Sequence, residues 1–252
     1  MIYITGDTHS NFKRFGNKVF PEQKTLTKDD YVIICGDFGG IWNDKGETKE
    51  EAYWLKWLGE RNFTLLFLDG NHENFDRLYD YPVKEWHGGK VHEIRPDILH
   101  LIRGQVYEIE GKTFFTFGGA ASHDAAGGIL DPNEPWDLVK MKHYDADWIP
   151  YRVKGISWWE RELPSDEELE EGLRNLAKAD NRVDYILTHC CSSSTQDSLA
   201  RGADYKKNVL TDYLEKIKNT VSYRKWFFGH YHGDTAVSEK EYLIYHQIER
   251  IE

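Results

Sequence analysis

The sequence predicts an α/β protein with a two-sheet core, and three observations carry that expectation. In the first third, short apolar runs alternate with loops and a helical stretch in the strand–helix–strand manner. Beyond Gln105 the pattern changes to adjacent strands joined by a tight turn. The later apolar runs are separated by segments whose hydrophobic residues recur at helical spacing.

Taken in order, residues 2–4 and 31–35 read as strands, and residues 47–61 as a helix with Tyr53, Trp54, Trp57 and Leu58 on one side. A strand at 63–68 follows almost at once. Residues 106–109 and 113–117, linked by Glu110, Gly111 and Lys112, form a hairpin that opens a second sheet. The stretch 118–164 is the least regular: it holds four of the seven prolines, which interrupt helix and strand alike, and is ordered instead by Trp136, Trp148, Trp158 and Trp159. Ser165 with Glu168 three residues on is a capping box, and Leu169, Leu173, Leu176 and Ala177 form the buried stripe of a helix reaching about Lys178. A strand at 185–187, a helix marked by Val209, Leu210, Tyr213, Leu214 and Ile217, and strands at 226–228 and 242–248 complete the chain. One large domain over 1–252 is expected, with 118–164 as an irregular, aromatic-rich insertion.

Thirty-two Lys and Arg against 43 Asp and Glu leave a net charge of −11. No basic stripe is evident, which argues against a general duplex DNA-binding surface. Bound divalent cations can still draw phosphate to an acidic protein, so a phosphorylated substrate is compatible with this balance. The three cysteines, Cys35, Cys190 and Cys191, sit in or beside apolar runs. Adjacent Cys190 and Cys191 are poorly placed for a disulfide, and such sparse usage fits a reducing compartment. Cys190 reads as a small core residue, with a thiolate ligand as the alternative. There is no basic leader and no run of about 18 apolar residues. A soluble, cytoplasmic chain without membrane association is therefore expected.

Five polar signatures stand just beyond the apolar runs: Asp7-Thr8-His9, Gly36-Asp37, Gly70-Asn71-His72-Glu73, Thr188-His189 and Gly229-His230-Tyr231-His232. They would collect at the carboxyl ends of neighbouring strands, where open α/β sheets bind ligands. Each alone has a bland reading as a satisfied structural polar residue. Gly-Asp pairs in particular are common turn material. Asn71 and His72 are more telling, because Asn is a poor strand residue and an unpaired buried His is costly. Five histidines, two aspartates and an asparagine aligned at strand ends point jointly to a metal site. Mixed nitrogen and oxygen ligation without thiolate suits Mn, Fe, Zn, Co or Ni without choosing among them.

This pattern resembles the calcineurin-like metallophosphoesterases, whose signatures run D-x-H, G-D, G-N-H-[DE], H and G-H-x-H; all five have counterparts from Asp7 to His232. The resemblance implies a four-layer αββα sandwich of two mixed β-sheets. It implies that Asp7, His9, Asp37 and His232 hold one ion, while Asp37 bridges to a second held also by Asn71, His189 and His230. Manganese is the first expectation from the family. Two such ions roughly 3.5–4 Å apart would activate a bridging hydroxide for attack on a phosphoester. His72, spared from ligation, would serve as general acid, or alternatively as a hydrogen-bonding neighbour of the ligands. Relatives that act on phosphoproteins or dinucleoside polyphosphates carry G-D-x-x-D-R-G, but this chain has Gly40 and Ile41 at the acidic and arginine positions. That departure argues against a protein phosphatase and leaves His72 without its usual partner.

A phosphomonoesterase or phosphodiesterase acting on a phosphorylated small molecule or short single-stranded nucleic acid is thus expected. The rival reading is a non-catalytic scaffold of the same fold that binds a partner protein. The 118–164 stretch is the expected specificity element. Trp158 and Trp159 read as pins holding it to the core, or alternatively as a stacking surface. His123 and Asp124 read as turn-stabilising residues, with contact to the site as the alternative.

Overall fold

The computed structural model describes residues 1–200 and 205–251. Its first sheet contains β1 (Ile2–Thr5), β2 (Tyr31–Ile34), β3 (Thr64–Phe67), β4 (Val83–Trp86), β5 (Gly89–Arg95), β6 (Ile98–Leu101) and, from the far end of the chain, β15 (Ile248–Ile251). They lie in the order β15-β1-β2-β3-β6-β5-β4. The stretch β1-β2-β3-β6 is parallel, and its flanks are antiparallel. The second sheet contains β7 (Gln105–Ile109), β8 (Lys112–Phe117), β11 (Tyr185–Thr188), β12 (Lys225–Phe228), β13 (Thr235–Ala236) and β14 (Glu241–Leu243), in the order β13-β14-β12-β11-β8-β7. A two-stranded ribbon, β9 (Ile129–Leu130) with β10 (Arg152–Val153), stands apart from both. The helices are α1 (Lys49–Gly59), α2 (Phe75–Tyr79), α3 (Pro135–Asp147), α4 (Asp166–Lys178), α5 (Ser193–Leu199) and α6 (Val209–Thr220).

Side-chain alternation divides the interior into three apolar layers. Ile2, Ile4, Ile33 and Leu66 of the first sheet pack against Phe114, Tyr185, Leu187 and Phe227 of the second. The opposite faces, Val32, Ile34, Leu65 and Phe67 on one sheet and Phe115, Ile186, Trp226 and Phe228 on the other, pack under helices. Strands buried on both faces read as unbroken apolar runs. The result is the four-layer αββα sandwich of two mixed sheets.

The structure follows several local expectations closely. Ser165 caps α4, accepting from the Glu168 amide while the Glu168 carboxylate accepts from the Ser165 amide. The β7–β8 hairpin turns on Glu110 and Gly111, both at positive φ, as a two-residue primed turn requires. Others need correction. Thr48 caps α1 reciprocally with Glu51 and so starts it two residues later than expected, while Tyr53 lies exposed and Leu55 takes the buried position. Ala177 of α4 also faces solvent. The expected strand 242–248 is two strands in different sheets, because the Asp234 carboxylate accepts from the Tyr245, His246 and Gln247 amides and diverts them from any ladder. Adjacent strand pairing begins at Val83 rather than Gln105.

The 118–164 stretch is more regular than its prolines suggest, since it contains α3 and the ribbon. Its helix buries no residue, and Trp136 and Trp148 are largely exposed. Only the Trp158-Trp159 end behaves as a pin: Trp159 is buried, its indole N–H donating to Asp76 Oδ2 at 2.9 Å. Ala120 and Leu163 join the outer apolar layer of the second sheet, and polar contacts add to this attachment. Arg103, wholly buried, clasps Asp69 through Nε at 2.8 Å and Nη2 at 2.5 Å, and Nη2 also reaches the Arg161 carbonyl at 2.7 Å. His100 Nε2 lies 3.0 Å from Asp69 Oδ1. Glu162 Oε2 accepts from the Ser122 amide at 3.0 Å. Burial pushes the Glu162 carboxyl up to about 8, against the opposing pull of Ser122 and Arg152.

Two predictions follow from these buried charges. Arg103→Met strands the Asp69 carboxylate and is expected to lower stability by about 3–5 kcal/mol in urea unfolding; a loss no larger than a surface substitution would show that the pair is not structural. Glu162 holds its proton more tightly in the folded chain than the ordinary value near 4.5. Its stabilising contribution is therefore complete below about 4.5 and is lost as pH rises through 8. Glu162→Gln is expected to raise the melting temperature at pH 8 but not at pH 4, and an equal change at both would remove this carboxyl from the pH response.

Candidate metal centre

The carboxyl ends of β1, β2 and β3 face those of β11 and β12 across the seam between the sheets. Asp7 and His9 leave β1, Asp37 leaves β2 and Asn71 leaves β3; His189 leaves β11, and His230 and His232 leave β12. All seven sequence-predicted ligand residues therefore gather at one edge, from two facing sheets rather than one. Close approach between loops demands glycine here. A Cβ on Gly36 would occupy the space of the His189 ring, and one on Gly70 would overlap the Asp37 carboxylate.

Left-handed backbone recurs at this edge, as it does in several turns elsewhere. His9, Asp37, His230 and His232 all adopt positive φ, at 42°, 48°, 69° and 48°. L-residues avoid this region, and it recurs where surrounding structure over-determines a functional geometry.

One donor atom from each of Asp7, His9, Asp37 and His232 lies within 4.8 Å of every other. His232 Nε2 stands 3.2 Å from Asp7 Oδ2, and His9 Nε2 stands 3.5 Å from Asp37 Oδ2. On the other side of Asp37, His189 Nε2 lies 3.4 Å from Oδ1 and 3.3 Å from Asn71 Oδ1. His230 is placed by ring contact, its centroid 5.0 Å from that of His189. Asp37 is thus shared by two groups. Cys190 packs in the outer apolar layer of the second sheet, and burial pushes its thiol well up, so it behaves as the core residue expected.

The electrostatics of the seam favour a bound cation. Asp7 and Asp37 are almost completely buried, and their ion-pair partners among the described residues are all histidines. Burial alone would raise the Asp37 carboxyl, but His189, His72 and His9 hold it well below the usual carboxylate range. Burial would likewise lower His189, yet Asp37, Asp7 and the Cys35 carbonyl raise it to about 10. The seam carries negative charge that a proton or a metal must balance. His9 and His230 are lowered by burial, which favours the neutral imidazole that coordinates metals. Carboxylate, imidazole and amide donors converging on buried negative charge fit divalent transition ions.

Orientation comes from the surrounding groups. His189 Nδ1 meets the Cys35 carbonyl at 2.8 Å, which fixes the ring and directs Nε2 toward Asp37. The His72 and His230 amides donate to Asp37 and Asp7. Arg14 holds the Asp7 and Tyr245 carbonyls, each at 2.7 Å. Asn71 Nδ2 donates to Ser122 Oγ at 3.3 Å, leaving its oxygen turned to His189.

The sequence reading did not identify Arg14, Ser122, Arg152 or Glu162 as part of this region, and it favoured a turn role for Asp124. Instead Asp124 pairs with Arg152 of β10, whose Nη2 stands 3.2 Å from His72 Nε2. The His123 ring lies 4.8 Å from that of His230. These residues carry no motif; the turn after β1 brings Arg14 to Asp7, and the folded path of the 118–164 segment brings the others to the ligands.

Known proteins resemble this chain to different degrees. A chain from Xenopus laevis, lariat debranching enzyme A, is 24% identical over 170 residues, covering 62% of this chain and 30% of that relative. This chain thus matches less than a third of the relative's length. The crystal structure of phosphopantetheinyl hydrolase from Mycobacterium tuberculosis aligns over 97% of this chain and 87% of that one, with 14% identity and a TM-score of 0.41, too loose a likeness to inform function. The family profile described as calcineurin-like phosphoesterase matches residues 1–234, so the chain belongs to that family of metal-dependent hydrolases.

Proposed function

We propose that this chain is a single-domain, cytoplasmic phosphoesterase with a dinuclear centre, in which His72 is the general acid. Asp7, His9, Asp37 and His232 would hold one ion; Asp37, Asn71, His189 and His230 would hold the other, manganese being the first candidate for both. Such ions, when bound, lower the pKa of a shared water and neutralise charge developing on the phosphoryl oxygens. The observation that carries this reading is the convergence of four donor atoms, two of buried carboxylates and two of imidazoles, within 4.8 Å of one another, with a further imidazole, His72, facing the same space.

The residues divide the work. Asp37 sits between the two groups and fixes their separation. His72 is held by its own amide on Asp37 Oδ1 at 2.8 Å, which sets its ring 4.9 Å from that of His9. As the bond from phosphorus to the leaving oxygen breaks, His72 gives its proton to that oxygen. Burial lowers the His72 pKa, and Arg152 lowers it further. An anionic phosphoester bound beside it acts in the opposite sense and favours the protonated form. A cleft of about 280 Å³ beside His230, walled in part by Ser122, His123, Gln196, Tyr205 and Tyr231, would take the organic part of the substrate. Its size suits a small molecule or the end of a single strand.

Three buried free cysteines support a reducing compartment, and no helix among the described residues is long and apolar enough to cross a membrane. Hydrolysis of an aryl phosphate monoester and its matching diester, with and without Mn²⁺, tests the reading directly. His72→Ala is expected to retain both ions by elemental analysis and to lose roughly 10²–10⁴-fold in turnover. The loss should be steeper for an alkyl than for a nitrophenyl leaving group, because the latter departs without a proton. Asp37→Ala is expected to lose bound metal and activity together. Two tightly held ions in that variant, or unchanged turnover in the first, would overturn the corresponding role.

A further inference from the structure

His72 needs a partner, and a substrate phosphate needs a cation fixed by the protein. The loop after β2 supplies neither. Its Phe38 and Ile41 are wholly buried, with Phe38 stacked on Phe67 at 4.2 Å, and Gly40 has no side chain. The opposite wall does better. Arg152, at the start of β10, extends into the site and is held by both oxygens of Asp124, Nε at 3.2 Å from Oδ1 and Nη2 on Oδ2. The same Nη2 lies 3.2 Å from His72 Nε2. The Arg152 side chain is only 14% exposed, so this charge is confined rather than waving in solvent.

We propose that Arg152, steadied by Asp124, binds the non-bridging oxygens of the substrate phosphate and so brings the leaving oxygen to His72. A guanidinium is planar, permanently charged and forked, which matches a phosphate edge. Asp124 orients the fork and limits its rotation. In the free protein Nη2 meets His72 Nε2; with substrate present it turns to the anion, leaving the imidazole free to carry its proton. The contact is strongest for a dianion, so Arg152 favours phosphomonoesters over diesters. The inference rests on the phosphoesterase reading above and names the group that grips its substrate.

Arg152→Ala, Arg152→Lys and Asp124→Ala, each loaded with Mn²⁺ and shown by elemental analysis to hold the wild-type metal content, test it. Binding of inorganic phosphate is measured by calorimetry, independently of turnover. Arg152→Ala is expected to weaken phosphate at least tenfold and to lower kcat/KM roughly 10²-fold for an aryl monoester, but less than tenfold for the diester. Arg152→Lys should restore phosphate affinity only in part, since a point charge lacks the fork. Asp124→Ala should fall between. Unchanged phosphate affinity in Arg152→Ala, beside a wild type that turns over, overturns this inference and leaves the phosphoesterase reading intact. A metal-loaded wild type that binds phosphate through Arg152 but hydrolyses neither ester overturns the phosphoesterase reading instead.

Discussion

Asp7 and Asp37 are two carboxylates sealed from water where the edges of two sheets meet, and most of the molecule can be understood as a response to them. A buried carboxylate without compensation is too costly to keep. Part of the compensation comes from the opposing sheet: His232 and the His230 amide reach Asp7, and His189 reaches Asp37. The interaction that assembles the site therefore also ties the sheets together at their carboxyl edges. It explains the glycines that admit close loops, the left-handed backbone at four candidate ligand residues, and the depressed Asp37 beside a raised His189. A fold selected only for stability would have little reason to gather two buried carboxylates among four imidazoles.

Much of this was legible before the structure, for identifiable reasons. The central strands are buried on both faces, so they appear as unbroken apolar runs, and the polar residues just beyond them stand out. That contrast exposed all seven candidate ligands and His72. Capping chemistry is equally local, which is why Ser165 and Glu168 placed α4 correctly. What depended on distant contacts was not legible. Asp234 ends β14 by capturing three amides more than ten residues away, so one expected strand became two in separate sheets. Tyr53 lies exposed and Leu55 is buried because the helical phase of α1 is decided by the layer it packs on, not by hydrophobicity alone. Arg152 and Asp124 are separated from His72 by 80 and 52 positions in the chain, and nothing in their neighbours marks them.

The 118–164 segment shows how the chemistry can be divided between parts of the chain. The donor atoms for the ions stand on the ends of central strands, the most rigid positions the fold offers. The segment, by contrast, has a helix with no buried residue; it is moored near its two ends, by Ala120 and Leu163 on the outer apolar layer of the second sheet, by Trp159 on Asp76 and by the Arg161 carbonyl on Arg103. A helix that buries no residue has low local stability, and such elements are the ones that rearrange around ligands. Yet one mooring passes directly to the centre, because Ser122 also accepts from Asn71. Movement of the segment would therefore be felt by a candidate ligand as well as by Arg152. The seating of the segment is what brings Arg152 to His72 and Ser122 to Asn71.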